Sequence, residues 1–155
     1  MKSEPDVFSW DDLVAKGALP EPWTGVRNYQ ARNYMRQMRL GDLALFYHSN
    51  IGKAVVGVME VVATAHPDPT DTSGTWDCVD VRAVVGMPSP VALEPIKQAR
   101  ALRNMVLVTN SRLSVQPLRL PEFREVCRMG GLDLKAIDAA RAAAGVTAGG
   151  GGETS

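Results

Sequence analysis

Apolar residues recur along this chain with two different periods, and the switches between them mark out its elements. In SWDDLVAKG (9–17) the helical period follows Ser9 as N-cap, with Asp11 and Asp12 complementing the first turn and Gly17 as the stop. LPEPW (19–23) is a proline-punctuated loop. NYQARNYMRQM (28–38) returns to the helical period, capped by Asn28, with an apolar stripe of Ala31, Met35 and Met38 helped by Tyr34. GDLALFYHSN (41–50) predicts a turn and then a strand ending in the polar tetrad Tyr47, His48, Ser49 and Asn50. AVVGVMEVVATA (54–65) is apolar on both faces, the mark of a central strand.

HPDPTDTSGT (66–75) reads as a loop. WDCVDVRAVV (76–85) alternates, with Cys78, Asp80 and Arg82 on one face and Val79, Val81 and Ala83 on the other. VALEPIKQAR (91–100) carries a weak helical pattern. RLSVQPL (112–118) alternates again: Leu113 and Val115 are predicted inside, Arg112, Ser114 and Gln116 outside, until Pro117 limits pairing. PEFREVCRMGG (121–131) predicts a helix, and an alanine-rich helix is expected over about 134–144. The glycine-rich tail 145–155 is expected to be disordered. With no internal repeat and no second core, the chain predicts one α+β domain.

Bulk properties narrow the function classes. The 155 residues are 45% hydrophobic and 22% charged, enough for one core without disulfides or a structural metal. Cys78 and Cys127 have no CxxC partner and fit a reducing, cytoplasmic setting. No stretch is long enough to span a bilayer, and MKSEPDVF lacks the apolar core of a signal peptide. A monomer without membrane contact is the expectation. The formal net charge of zero argues against a non-specific DNA coat protein, yet Arg27, Arg32, Arg36 and Arg39 precede the first acid of their region, Asp42. Arg32, Arg36 and Arg39 fall at i, i+4, i+7 on one helix face, where they repel one another unless an anion is near.

The common catalytic fingerprints are missing. His48 and His66 lack metal-ligand spacing, and there is no GxSxG, P-loop or GxGxxG. No cofactor is expected. In SEPD the carboxylates Glu4 and Asp6 stand two apart, but Pro5 favours an exposed turn.

WTGVRNYQARN (23–33) concentrates an aromatic, amides and guanidinium groups. Each has an ordinary reading: Trp23 as a lid on the core, Asn28 as a helix cap, the arginines as a solvated face, Tyr47–Asn50 as a strand end, Gln116 as an exposed strand residue. Together they also match what a base pocket needs, an aromatic plane to stack on and amides or hydroxyls to read an edge.

MKSEPDVFSWDDL, WTGVRNYQARN, GDLALFYHSN, VVGVMEVV, HPDPT and RLSVQP, in order from residue 1 to about 131, resemble the EVE domain of the PUA-like superfamily, beside the YTH and SRA readers of methylated bases. The resemblance implies a twisted β-barrel with helices packed around it and a pocket for a flipped, modified base in DNA or RNA. It assigns Lys2 and Ser3 from KSEP, Trp23, Val26, Arg27 and Asn28 from WTGVRN, and Tyr47, His48, Ser49 and Asn50 from YHSN. Ser114 and Gln116 come from RLSVQP, with Arg32 and Arg36 expected on flanking phosphates. Two departures from the family pattern stand out: the sequence begins at KSEP, without the few residues that usually complete the first strand, so that strand is short or the true start lies upstream, and the 66–75 loop is short. Two other classes stay open, a PUA-like amidohydrolase using Lys2 beside Glu4 and a peptide-binding module. Extruding a base costs a few kcal/mol and one stack returns about 1–3 kcal/mol, so single strands are expected to bind better than duplexes.

Overall fold

Two long valine-rich segments dominate the architecture because their apolar residues face both ways and must be covered on both sides. In the computed structural model, whose described residues are 1–148 with side chains through 143, they form β4 (Ala54–Pro67) and β5 (Asp77–Ala92). Around them lie β1 (Lys2–Ser3), β2 (Glu21–Pro22) and β3 (Leu43–His48), in the sheet order β1-β3-β4-β5-β2. β4 pairs antiparallel with both β3 and β5, whereas β1 adds parallel to β3. The helices are α1 (Trp10–Ala15), α2 (Tyr29–Gln37), α3 (Leu93–Gln98), α4 (Val106–Thr109), α5 (Leu120–Met129) and α6 (Leu134–Ala148).

Register shifts along β4 near Val58/Met59 and Val61/Ala63 turn its side chains between faces, so one strand feeds two cores. Val55 and Val58 join Leu45, Ile96, Phe123 and Ile137 beneath the C-terminal helices. Met59 and Val61 join Leu13, Met35, Phe46 and Val81 beneath α1 and α2. Trp10 lies across the paired glycines Gly57 and Gly86: a Cβ on Gly57 would fall 2.4 Å from its ring, and one on Gly86 3.2 Å. Glu60 of β4 accepts from Arg82 (2.6 Å) and from Arg141 of α6 (2.8 Å), tying that helix to the sheet. Burial pushes its carboxyl pKa up, and the two guanidiniums more than offset this, leaving it below the ordinary range.

Several boundaries differ from the pattern-based expectation. β4 runs on through His66 and Pro67, and β5 continues to Ala92, leaving only 93–98 helical. RLSVQPL is not a strand. Leu113 and Val115 are buried as the alternation requires, but the segment's tie to the sheet edge is a hydrogen bond from Lys2 N to Ser114 O (3.0 Å). The C-terminal helix reaches Ala148, past 144, and 149–155 of the expected disordered tail lie outside the described residues.

Candidate functional site

The loop between β2 and α2 is fixed from below. Trp23 N donates to Val79 O (2.8 Å), and the Trp23 ring packs edge-on against Phe46 at 5.4 Å. Trp23 and Val26 are both buried in the core beneath α1 and α2. Gly25, at φ +86°, turns the chain so that its N–H reaches Asp68 Oδ2 (2.8 Å). Asp68 is 1% exposed and also accepts from Thr70 N (2.7 Å), Thr70 Oγ1 (2.6 Å) and Arg27 Nη1 (3.1 Å). Burial alone would raise its pKa; the bonds from Thr70, Gly25 and Arg27 overcome that and hold it at about 2. Asp68 clamps the HPDPT and WTGVRN segments together. Asn28 is exposed, and its Oδ1 accepts from Ala31 N (2.9 Å) as the cap of α2.

A second convergence lies at the end of β3. Lys2 pairs with Tyr47 and Ser3 with His48, and Ser49 N donates to Ser3 O (2.9 Å). Ser3 Oγ donates to Phe8 O (2.5 Å). His48 Nε2 accepts from Trp10 N (3.1 Å), which requires the neutral ring, and burial lowers the His48 pKa against the opposing pull of Asp11. Asn50 is exposed at φ +67° in the turn that follows. Gln116 Nε2 donates to Leu113 O (2.7 Å).

Neighbours on a strand face opposite ways, and this divides the predicted residues. Tyr47, Lys2 and Gln116 line a cleft of about 550 Å³, walled elsewhere by Leu107, Pro117 and Phe123. Such a volume falls in the range of small-ligand sites. Tyr47 is buried, its hydroxyl has no protein partner among the described residues, and burial raises its pKa, which keeps it protonated. Lys2 Nζ lies 5.7 Å from the Tyr47 ring centroid and donates to Ser111 O; Glu4 is exposed, and the Lys2–Glu4 pair of an amidohydrolase is not formed. Trp23, Val26, Asn28, Ser49, Asn50 and Ser114 do not line this cleft, and His48 and Ser3 approach Trp10 and Phe8 instead.

The arginines separate as well. Arg36 is paired with Asp77 (2.6 Å) and Arg27 with Asp68, whereas Arg32 donates to Thr75 O (3.0 Å) and Asn33 Oδ1. Among the described residues no carboxylate lies within salt-bridge reach of Arg32. Sequence reasoning missed Asp68, Trp10 as the keystone over Gly57, and the pairing of Tyr29 with Trp76. The signal for Asp68 was an acid enclosed by Pro67 and Pro69, two residues that lack a backbone donor.

A sheet fed by a parallel N-terminal strand, flanked by two cores and a cleft at the β1–β3 seam, defines an α+β domain of the PUA-like kind. The chain belongs to the EVE domain family, whose description matches residues 1–129. Human Thymocyte nuclear protein 1 is 39% identical, the match covering 79% of this chain and 69% of that protein. The crystal structure of protein Atu2648 from Agrobacterium tumefaciens is 56% identical (TM-score 0.82; 86% of this chain, 92% of that one). Human THYN1 in complex with 5-methylcytosine-containing DNA is 38% identical (TM-score 0.78; 86% and 96%). At the level of fold alone, the YTH domain of Zygosaccharomyces rouxii MRB1, in complex with N6-methyladenosine RNA, is similar at 20% identity (TM-score 0.53; 86% and 83%).

Proposed function

We propose that this protein is a nucleic-acid-binding module that recognises a flipped, modified nucleobase, for example a methylated one, in DNA or RNA. The observation that carries the reading is the 38% identity, over 86% of this chain, to human THYN1 held in a complex with 5-methylcytosine DNA. Within the fold, the cleft at the β1–β3 seam receives the base. Its apolar walls exclude water, the Tyr47 hydroxyl and Gln116 meet the base edge, and Lys2 sits where an incoming strand brings negative charge. Ser3, Ser49, Asn50 and Ser114 lie along the same seam and shape its end. His48, Trp23 and Val26 hold that end in place from the opposite face of β3. Asn28 fixes the entrance of α2, and Arg32 supplies positive charge to the strand beyond the base, while Arg27 and Arg36 stand beside it in ion pairs with Asp68 and Asp77. The reading includes a monomeric chain.

Burial of one methyl contributes about 0.8 kcal/mol, about fourfold in affinity, so a larger preference requires that the site reject the competing base. The test is fluorescence anisotropy with single-stranded oligonucleotides carrying 5-methylcytosine, N6-methyladenine or neither, in DNA and RNA. Preference for one modified base of at least fourfold, weakened by Gln116→Leu, is the expected result. Equal affinity for all of them, unchanged by that substitution, overturns the reading.

A further inference from the structure

The surface beside α2 carries a feature the base pocket does not use. Tyr29, in the first turn of α2, is 60% exposed, yet its ring lies 4.8 Å from that of Trp76 at an interplanar angle of 34°. Two guanidiniums flank the pair: Arg32 at 4.9 Å from the Tyr29 ring and 5.8 Å from Trp76, and Arg27 at 5.8 Å from Trp76. Trp10 and Trp23 are buried; Trp76 is the half-exposed tryptophan of the three. Its loop is prefolded, since Asp71 accepts from Ser73 N (3.0 Å), Ser73 Oγ (2.7 Å) and Trp76 N (2.9 Å), and Arg32 holds Thr75 O. Asp68 neutralises Arg27 and Asp77 neutralises Arg36, so Arg32 keeps its charge beside two rings.

An exposed ring set against a half-buried one, beside a guanidinium outside any ion pair, suits one chemistry: an unstacked base joined to a phosphate. We propose that Tyr29, Trp76 and Arg32 form a second nucleotide site, which stacks an unpaired base and holds its phosphate on the strand leading to the β1–β3 cleft. It extends the base-reading proposal by giving the strand a path, and it differs in kind. Stacking tolerates every base, so this site takes unmodified single strands as well.

The probes are short fluorescein-labelled oligothymidylate and oligouridylate, which carry no modified base, together with a free modified nucleoside. Wild-type protein is expected to bind at least one homopolymer, and the stronger of the two names DNA or RNA as the source of the strand. Tyr29→Ala and Trp76→Ala are each expected to weaken it about 5- to 150-fold, the measure of one lost stack. Trp76→Phe, which keeps a ring, recovers most of that loss, and Arg32→Lys weakens binding while keeping the charge. Affinity for the free nucleoside stays within twofold in the Tyr29 and Trp76 variants. Wild-type protein that binds neither homopolymer, or homopolymer affinity that survives both alanine variants, overturns the second site. Homopolymer binding that depends on Tyr29 and Trp76, with no preference for any modified base, upholds this site and ends the base-pocket reading instead.

Discussion

Replacing Asp68 by Asn keeps its size and removes its charge, and the consequences follow from its four bonds. Gly25 N, Thr70 N, Thr70 Oγ1 and Arg27 Nη1 all donate to this carboxylate. An amide can accept on one side only, so its NH₂ must face donors. Asp68 has a pKa of about 2 in the fold against 3.8 ordinarily. A carboxyl depressed in this way contributes stability that is complete above the unfolded value and lost as pH falls through the folded one, here between about 4 and 2. The difference corresponds to about 2 kcal/mol, of which close to half is gone by pH 3. Asp68→Asn is therefore expected to lower stability by about 2–3 kcal/mol at pH 7, or about 4–12 °C in Tm for a domain of this size. Urea unfolding of both proteins at neutral pH and at about pH 3 reads the effect, and the gap between them narrows in acid. A gap that is equal at both pH values, or absent at pH 7, refutes the clamp.

Gly57→Ala places a methyl inside the Trp10 ring and is expected to cost about 1–3 kcal/mol in urea unfolding, with partial recovery on adding Trp10→Phe. His48 is expected to titrate below 6.5 by NMR. Protonation breaks its bond from Trp10 N, so its contribution is present above 6.5 and falls away in acid; a His48 pKa at or above 6.5 contradicts this. Arg141→Ala leaves Glu60 with Arg82 alone and loosens α6, and is expected to speed hydrogen exchange in that helix while amides of α1 stay protected.

Local patterns showed through where chain neighbours decide the structure. Ser9 and Asn28 cap α1 and α2 as their side-chain chemistry demands, and Ala31 and Met35 are fully buried on the stripe that their spacing defined. RLSVQPL failed as a strand because alternation reports burial and cannot report a pairing partner; β1 offers one backbone bond and Pro117 removes a donor. The candidate residues were legible as a set but their division was not. A motif such as YHSN invites the reading that all four side chains share a pocket, whereas β3 sends Tyr47 into the core beneath the C-terminal helices and His48 toward Trp10 and Phe46. Asp68 and Trp76 act across more than 40 residues of sequence, on Arg27 and Arg32, a separation that pattern alone does not bridge.

That divergence at β3 can be turned into a measurement of where the base sits. Tyr47, whose hydroxyl has no protein partner among the described residues, lines the cleft, and His48, one residue on, spends its Nε2 on Trp10 N. A base in the cleft gains a hydrogen bond from Tyr47, worth about 0.5–1.5 kcal/mol, so Tyr47→Phe is expected to weaken modified-nucleoside binding about 2- to 13-fold. The ring stays, and removing a hydroxyl that has no protein partner leaves Tm unchanged or slightly raised. His48→Leu does the opposite: it removes the acceptor for Trp10 N, lowers Tm through the lost bond at the start of α1 and leaves nucleoside affinity within twofold. Isothermal titration on the two variants, beside their melting curves, separates affinity from stability. If His48→Leu abolishes binding while Tyr47→Phe is silent, the base occupies the opposite face of β3, and the cleft lined by Lys2 and Gln116 is not its site.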